Sequence, residues 1–254
     1  MQSERISAEF LIQNSRQQWA DIQVLDRIDS TNNYLKNKSE ARLVCLAEQQ
    51  TGGRGRHGNQ WQSPDAQNIY LSFSWEFETP PEHLGLLSLW VGIVLAKTLE
   101  TFGLSEHGIK WPNDVYWRQQ KMGGILIEGS NLSPVLVVGI GLNINMQNEA
   151  GIDQPWVSLS EALDKPVNRN HLLIAMLDAL YEAMEQFVHM SPADLLRDWR
   201  RWDLIRDHAV SFMDNQELLQ GKARGVSADG KLLVELPSGE VRPFSTAINT
   251  VRWK

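Results

Sequence analysis

What this chain has little of narrows its chemistry first. Cysteine occurs once, at Cys45, so no internal disulfide can form, and its place in the apolar run Leu43 to Ala47 reads as a buried strand thiol rather than a nucleophile. Such cysteine usage fits a reducing cytoplasm. There is no phosphate-cradling P-loop, no Gly-x-Ser-x-Gly elbow and no His/Cys pair at zinc spacing, and the six histidines are scattered. Positive charge is also short. With 24 Lys and Arg against 31 Asp and Glu the net charge is -7 and the pI about 5.4, which argues against a general nucleic-acid binder. The longest apolar stretch, Leu84 to Ala96, is interrupted by Gly85, Ser88 and Gly92 and reads as too short to span a bilayer. Met1 to Phe10 mixes Glu4, Arg5 and Glu9 with apolar positions, unlike a secretory signal. Neither a membrane nor a nucleic acid is expected as a partner.

What is present is ordinary for a globular chain of 254 residues: 42% hydrophobic, 22% charged, without repeats or low-complexity tracts. The pattern predicts a short helix near Ser7 to Ala20 and a first strand over Ile22 to Ile28. Asp29-Ser30-Thr31-Asn32 supplies helix-start residues, which puts Ser30 and Thr31 at a strand-to-helix junction. A second strand, Leu43 to Glu48, feeds a glycine loop. Asn68 to Phe77 alternates apolar and polar residues as a half-buried antiparallel strand should. An apolar helix over Leu84 to Thr101 ends at Gly103, and strand pieces follow at Ile109 to Trp111, Val115 to Trp117, Lys121 to Glu128 and Val135 to Asn145. Two helices come next, from about Asn170 to Met190 and from Ser191-Pro192. From about Arg206 the texture changes to short strands with turn signals at Asp214-Asn215, Asp229-Gly230 and Ser238-Gly239, which suggests a separate small β-barrel.

The chemistry concentrates in a few segments. Gly52-Gly53-Arg54-Gly55-Arg56-His57-Gly58-Asn59-Gln60-Trp61 sets two guanidinium groups among four glycines and closes on an indole, a clamp suited to carboxylate or phosphate oxygens. Gly53, Gly55 and Gly58 satisfy the dinucleotide pattern G-x-G-x-x-G, but the following residues carry Pro64 and no helical period, so no helix end would meet a pyrophosphate. His57 lacks a neighbouring histidine or cysteine for a metal pair. Lys110-Trp111-Pro112-Asn113-Asp114 gathers a cation, an aromatic ring, a rigid bend and two short polar side chains, and an ordinary turn remains an alternative on this segment alone. Lys121-Met122-Gly123-Gly124 opens an apolar strand, where the lysine reads equally as a solvated strand end. Gly139-Ile140-Gly141-Leu142-Asn143-Ile144-Asn145 thins a strand beside two amides, which serve a ligand, a metal-bound phosphate or the fold itself.

Taken with Ser30-Thr31-Asn32 and Glu48-Gln49-Gln50-Thr51, the order and spacing of these segments across about residues 20 to 254 resemble the biotin protein ligases. The resemblance implies an α+β fold: a mixed-sheet catalytic domain like that of class II aminoacyl-tRNA synthetases over 21–205, after a short helical segment over 1–20, and an SH3-like β-barrel over 206–254. It implies an ATP-dependent, Mg²⁺-assisted reaction in which biotin becomes biotinyl-5'-AMP and the biotinyl group then passes to a lysine of a biotin carboxyl carrier domain, as in acetyl-CoA carboxylase. Ser30, Thr31, Asn32, Gln50, Gly53, Arg54, Gly55, Arg56, Lys121, Gly123 and Gly124 correspond to biotin-binding positions. Arg54, Arg56, Trp61, Lys110, Asn113, Lys121 and Asn143 correspond to nucleotide-binding positions, with Asn143 as a metal position. Lys121, Arg56 and Asp114 would carry the chemistry, Asp114 helping to deprotonate the incoming lysine. The resemblance departs at the amino end, where about twenty residues precede the first strand, too few for the winged helix-turn-helix of family members that repress transcription. It leaves a homodimer open. Lipoate ligases and octanoyl transferases share the architecture, but the paired arginines with Trp61 and the Lys110 to Asp114 run resemble the biotin enzymes. A non-catalytic biotin or nucleotide sensor is the alternative from another class.

Overall fold

A computed structural model describes residues 4–130, 133–147, 152, 154–214, 217–245 and 251–253. The first strand, β1 (Asp21–Ile28), is followed by helix α2 (Thr31–Lys36) and β2 (Leu43–Gln50), and the two strands pair in parallel. Then come β3 (Ile69–Trp75), α3 (Leu87–Thr101), β4 (His107–Lys110), β5 (Asp114–Trp117), β6 (Gln120–Ser130) and β7 (Ser133–Leu142). All remaining pairs in this seven-stranded sheet are antiparallel, in the order β1-β2-β3-β7-β6-β5-β4. Helix α1 (Ala8–Asn14) precedes β1, while α4 (Leu159–Ala162), α5 (Arg169–Phe187) and α6 (Pro192–Trp202) follow β7. The chain finishes in a five-stranded antiparallel sheet of β8 (Ala209–Asp214), β9 (Glu217–Val226), β10 (Leu232–Glu235), β11 (Val241–Phe244) and β12 (Arg252–Trp253), ordered β11-β10-β9-β8-β12.

Both faces of the large sheet are covered. Helices α3 and α5 pack on one face, and the smaller cluster of Leu35, Cys45 and Val137 sits beneath α2 on the other. Burial pushes the Cys45 thiol up to about 12, so it stays protonated and inert near neutral pH. Helix α3 is buried almost all round, from Leu87 through Leu99. Together with the turn before it, Leu84–Thr101 has the length and composition of a membrane span, which corrects the expectation that this stretch is too short. Two-thirds of it is buried against the rest of the protein, as in a core helix.

Two local departures from the sequence reading have physical causes. Helix α1 stops at Asn14 instead of running to Ala20, because Asp178 of α5 captures Ser15 Oγ at 2.7 Å and Arg16 N at 2.9 Å. Trp19 then drops into the core, edge-on to Phe73, Trp75 and Tyr181. Strand β3 is buried on both faces, not one. Its hydroxyl side is covered by α2 and the segment after it: Ser72 Oγ bonds Thr31 Oγ1 and Asn32 Oδ1, and Ser74 Oγ donates to Glu40 O. The apolar core also runs without a break from the large sheet into Val210, Phe212, Ala223, Leu232 and Val234 of the small one. The turn at Asp229-Gly230, with Gly230 at φ +84°, seats against Gly85 and accepts a 3.0 Å bond from Trp111 Nε1. Ser238-Gly239 turns β10 into β11, whereas Asn215 of the Asp214-Asn215 signal lies outside the described residues, as do residues 1–3 of the amino-terminal segment.

The amino-terminal segment is tied in by a fully buried ion pair, Arg169 Nη1 to Glu48 Oε2 at 2.6 Å. Arg169 also donates to Asn68 O and Glu4 O, and Glu48 Oε1 accepts from Ile6 N, so one pair joins α5, β2 and the chain start. Removing one partner strands a charge in the core. Glu48→Gln is therefore expected to destabilise the fold by about 3–5 kcal/mol, read from the urea midpoint; a loss under ~1 kcal/mol would mean that water reaches Arg169.

Candidate active site

The carboxyl ends of β1 and β2, the hydroxyl side of β3 and the middle of β6 and β7 surround one cavity of about 540 Å³. Its first wall is the start of α2. Ser30 caps that helix, accepting from Asn33 N, so the next two side chains emerge at a fixed point beside β2. Gln50 Oε1 accepts from Thr31 N at 2.9 Å and lies 3.2 Å from Thr31 Oγ1, while Gln50 Nε2 donates to Ser63 Oγ. Asn32 is committed to the protein: Oδ1 accepts from Ser72 at 2.6 Å, and Nδ2 donates to Glu128 Oε2 at 2.9 Å and reaches Leu126 O at 3.4 Å. A Cβ at residue 139 would overlap Asn32 Oδ1, so Gly139 is what lets the amide lie flat on β7.

The glycine loop forms the second wall. It folds back on itself through Gly55 N to Asn59 O at 2.7 Å, Trp61 N to Gly53 O at 2.9 Å and an Arg54–Gln60 bridge, with a single 3-10 turn at Arg56–Gly58. No α-helix follows, as the sequence predicted. His57 sits at φ +55° and Gly58 at φ +76°. Arg54 Nη2 donates to Asn33 Oδ1 at 2.6 Å and to Glu128 Oε2 at 3.0 Å. Arg56 Nη1 reaches Asn113 Oδ1 at 3.4 Å. Burial works against the Arg56 charge and Asp114 supports it. Trp61 lies against β7, where a Cβ on residue 141 would come within 2.7 Å of the ring, and its buried Nε1 has no acceptor among the described residues. A buried donor left open in a cavity wall suits a ligand acceptor.

The third wall is cationic. Lys121 Nζ bonds Asp114 Oδ1 at 2.9 Å and sits 5.5 Å from the Trp61 ring centroid. Gly124 stands opposite, 3.3 Å from Asp114 by its Cβ position, so a side chain there would crowd the pair. Lys110 is buried, 5.3 Å from the Tyr116 ring centroid; burial lowers its pKa, Asp114 opposes that and Lys121 adds to it. The Trp111-Pro112 peptide is cis, and Asn113 Nδ2 donates to Ile125 O at 2.7 Å. Asn143 Nδ2 reaches Val157 O at 3.4 Å.

Of the residues singled out from sequence, Ser30, Thr31, Asn32, Gln50, Arg54, Gly55, Arg56, Trp61, Lys110, Asn113, Asp114, Lys121, Gly124 and Asn143 line this cavity. Gly53 and Gly123 do not. Their missing side chains make room for protein: Trp61 O, Ser63 and Gln50 around Gly53, and Leu142 with Gly141 O around Gly123. Ser72, Gly139, Gly141, Gln154 and Trp156 are among the other lining residues. Trp156 comes from a stretch without periodicity, held by Lys121 N to Pro155 O and Val157 N to Lys121 O, and nothing local in the sequence marks it. Gly141→Ala should expel the Trp61 indole and cost about 1–3 kcal/mol, as overpacking does, seen as a lower urea midpoint with an altered near-ultraviolet spectrum. An unchanged spectrum would place that ring elsewhere.

Residues 24–145 match the Biotin/lipoate A/B protein ligase family, and residues 209–248 match the Biotin protein ligase C terminal domain. The chain is 35% identical over 231 residues to the bifunctional ligase/repressor BirA of Escherichia coli, covering 88% of this chain and 71% of that one. It is 33% identical to the biotin–acetyl-CoA-carboxylase ligase of Paracoccus denitrificans, over 85% of this chain and 95% of the relative. The biotin protein ligase of Aquifex aeolicus, solved in complex with biotin and ATP, superposes with a TM-score of 0.80 at 29% identity, covering 92% of this chain and 99% of that one. With a cation-lined cavity built from the five motif segments and matches of this extent, the chain belongs to the biotin protein ligases.

Proposed function

We infer that this protein activates biotin with ATP and transfers the biotinyl group to a lysine of a carrier domain, a reading that gives the cations of the cavity a use. The observation that carries it is the meeting of Arg54, Arg56, Lys110 and Lys121 around one cavity in an acidic protein. In the first step the biotin carboxylate attacks the α-phosphorus of ATP, forming the acyl-phosphate bond of biotinyl-5'-AMP as pyrophosphate leaves. Two anions must approach, and fixed positive charge offsets their repulsion as negative charge builds on the phosphoryl oxygens. Lys121, aimed by Asp114, is assigned to the biotin carboxylate and α-phosphate, with Arg56 and Lys110 on the phosphates. Ser30, Thr31 and Gln50 are assigned to the biotin head, and Trp61 and Asn143 to the nucleotide.

Among the described residues no three His, Cys, Asp or Glu side chains gather as a metal cage. Mg²⁺ keeps waters and rides on substrate phosphates with few protein ligands; Asn143 and Asn113 are the proposed amide contacts, and the ion would supply further charge neutralisation. In the second step the acceptor lysine must be neutral to attack the acyl carbon, forming the amide as AMP leaves. Asp114 is proposed to take its proton once Lys121 has turned to the phosphoryl group. The glycine loop is proposed as the cover that keeps water from the mixed anhydride.

We further propose a catalytic unit over 21–205 and a carboxyl-terminal unit over 206–254 that closes as an SH3-like barrel, engaging ATP and the acceptor. Its support is the Trp111 bond to Gly230 and the placing of Val251 in the cavity wall. The acceptor proposed is the carrier domain of a biotin-dependent carboxylase in the cytoplasm, and the order of assembly in solution is left to sedimentation. The described residues before β1 include α1, which packs on α5 and β1.

Lys121→Ala is expected to slow adenylate formation by about 10²-fold or more, the scale of one preorganised charge at such a transition state. Near-normal pyrophosphate release would remove Lys121 from the chemistry. Wild-type ATP–pyrophosphate exchange should depend on biotin and ignore lipoate, and mass spectrometry of a carrier domain incubated with biotin and MgATP should show one added biotinyl group. Exchange driven by lipoate would reassign the substrate.

A further inference from the structure

Glu128 closes the Lys121 to Glu128 motif, yet the reaction outlined above gives it no part. Its carboxylate nevertheless collects three donors from two separate elements: Asn32 Nδ2 at 2.9 Å and Lys36 Nζ at 2.9 Å from α2, and Arg54 Nη2 at 3.0 Å from the glycine loop. Burial alone would raise its pKa, but hydrogen bonds from Asn32 and Lys36, with the charge of Arg54, hold it below the ordinary range. We propose that Glu128 is a positioning residue that latches the glycine loop over the cavity through Arg54 and at the same time fixes the amide of Asn32.

The geometry limits what else this carboxylate can do. Both oxygens are occupied by cationic or amide donors, so it acts as an acceptor and not as a base. Arg54 belongs to the one loop proposed to move, while Lys36 and Asn32 belong to a capped helix and Glu128 to a strand paired with β7. The ion pair thus ties the loop proposed to move to the strand and helix that carry Glu128 and Lys36. Arg54 Nη2 also reaches Asn33 Oδ1 at 2.6 Å, which puts a second acceptor beside the first on the fixed side. The pair is only partly exposed, with Arg54 at 38% and Glu128 at 18%, so it is screened less than a fully surface pair. Two cations against one carboxylate leave the latch with a net positive charge toward an anionic ligand, so ligand binding and closure favour each other.

Glu128→Gln tests this. The neutral amide keeps one acceptor for Asn32 but turns an N–H₂ toward Lys36 or Arg54, setting donor against donor. The inference rests on the ligase reading, and the expected result is a KM for biotin raised about tenfold, the size of one charge-assisted hydrogen bond, with kcat for biotin-dependent pyrophosphate exchange within about twofold. Single-turnover assays should also show faster escape of biotinyl-5'-AMP into solution. Arg54→Gln removes the same ion pair from the loop side and should speed that escape equally, and the double variant should exceed neither single one. A wild-type KM and wild-type retention in Glu128→Gln, or additive losses in the double variant, would overturn the latch. If Glu128→Gln does not fold, wild-type retention by Arg54→Gln overturns it alone. Failure of the ligase reading would look different, since wild-type enzyme would then show no biotin-dependent exchange at all.

Discussion

Like charges crowded at one place are what the rest of this molecule has to manage. Arg54, Arg56, Lys110 and Lys121 all face one cavity, where Lys110 is nearly sealed from water. Without ligand, such a cluster repels itself and pays for desolvation. Two carboxylates hold it together: Asp114 beside Lys121, with Arg56 and Lys110 in its field, and Glu128 beside Arg54 and Lys36. Asp114 and Glu128 in turn have places because β5 and β6 are paired strands, whose register puts Asp114 opposite Gly124 and leaves Glu128 on the stretch paired with β7. The architecture of the sheet is in this sense the support of an electrostatic arrangement.

Glycine supplies the room. Side chains at 139 and 141 on β7 would collide with Asn32 and Trp61, and one at 124 on β6 would press on the Asp114–Lys121 pair. Three glycines on two adjacent strands thereby hollow out one side of an otherwise fully packed sheet. On that side the cavity is a local omission of side chains more than a gap between separate bodies, which keeps the β6 and β7 wall as rigid as the strands themselves.

Much of the site was legible because its residues sit in short segments that combine glycine with charge. Those segments supply much of the cavity wall, and fourteen of the singled-out residues line it. Less legible was why a glycine is there. Gly53 and Gly123 share the segments of true lining residues but make way for Trp61 O and Leu142, a distinction that depends on strand register and not on local pattern. Strand β3 shows the same limit. Alternation of Leu71 and Phe73 with Ser72 and Ser74 suggests a wet face, but α2 folds over it and turns the hydroxyls into anchors. The early end of α1 and the contribution of Trp156 depend on distant partners, Asp178 and Lys121, that lie more than thirty positions away in the chain. The membrane-like composition of Leu84–Thr101 is likewise explained only by what packs around it.

The bond from Trp111 to the Gly230 carbonyl makes the small sheet part of the cavity floor. Lys110 is the residue before Trp111, and Tyr116, which packs over Lys110, stands edge-on to Trp253. Local unfolding in proteins follows the weakest cooperative unit. Were the carboxyl-terminal strands to detach, the indole would come free and the seat of the buried lysine would open even while the seven-stranded sheet still stood.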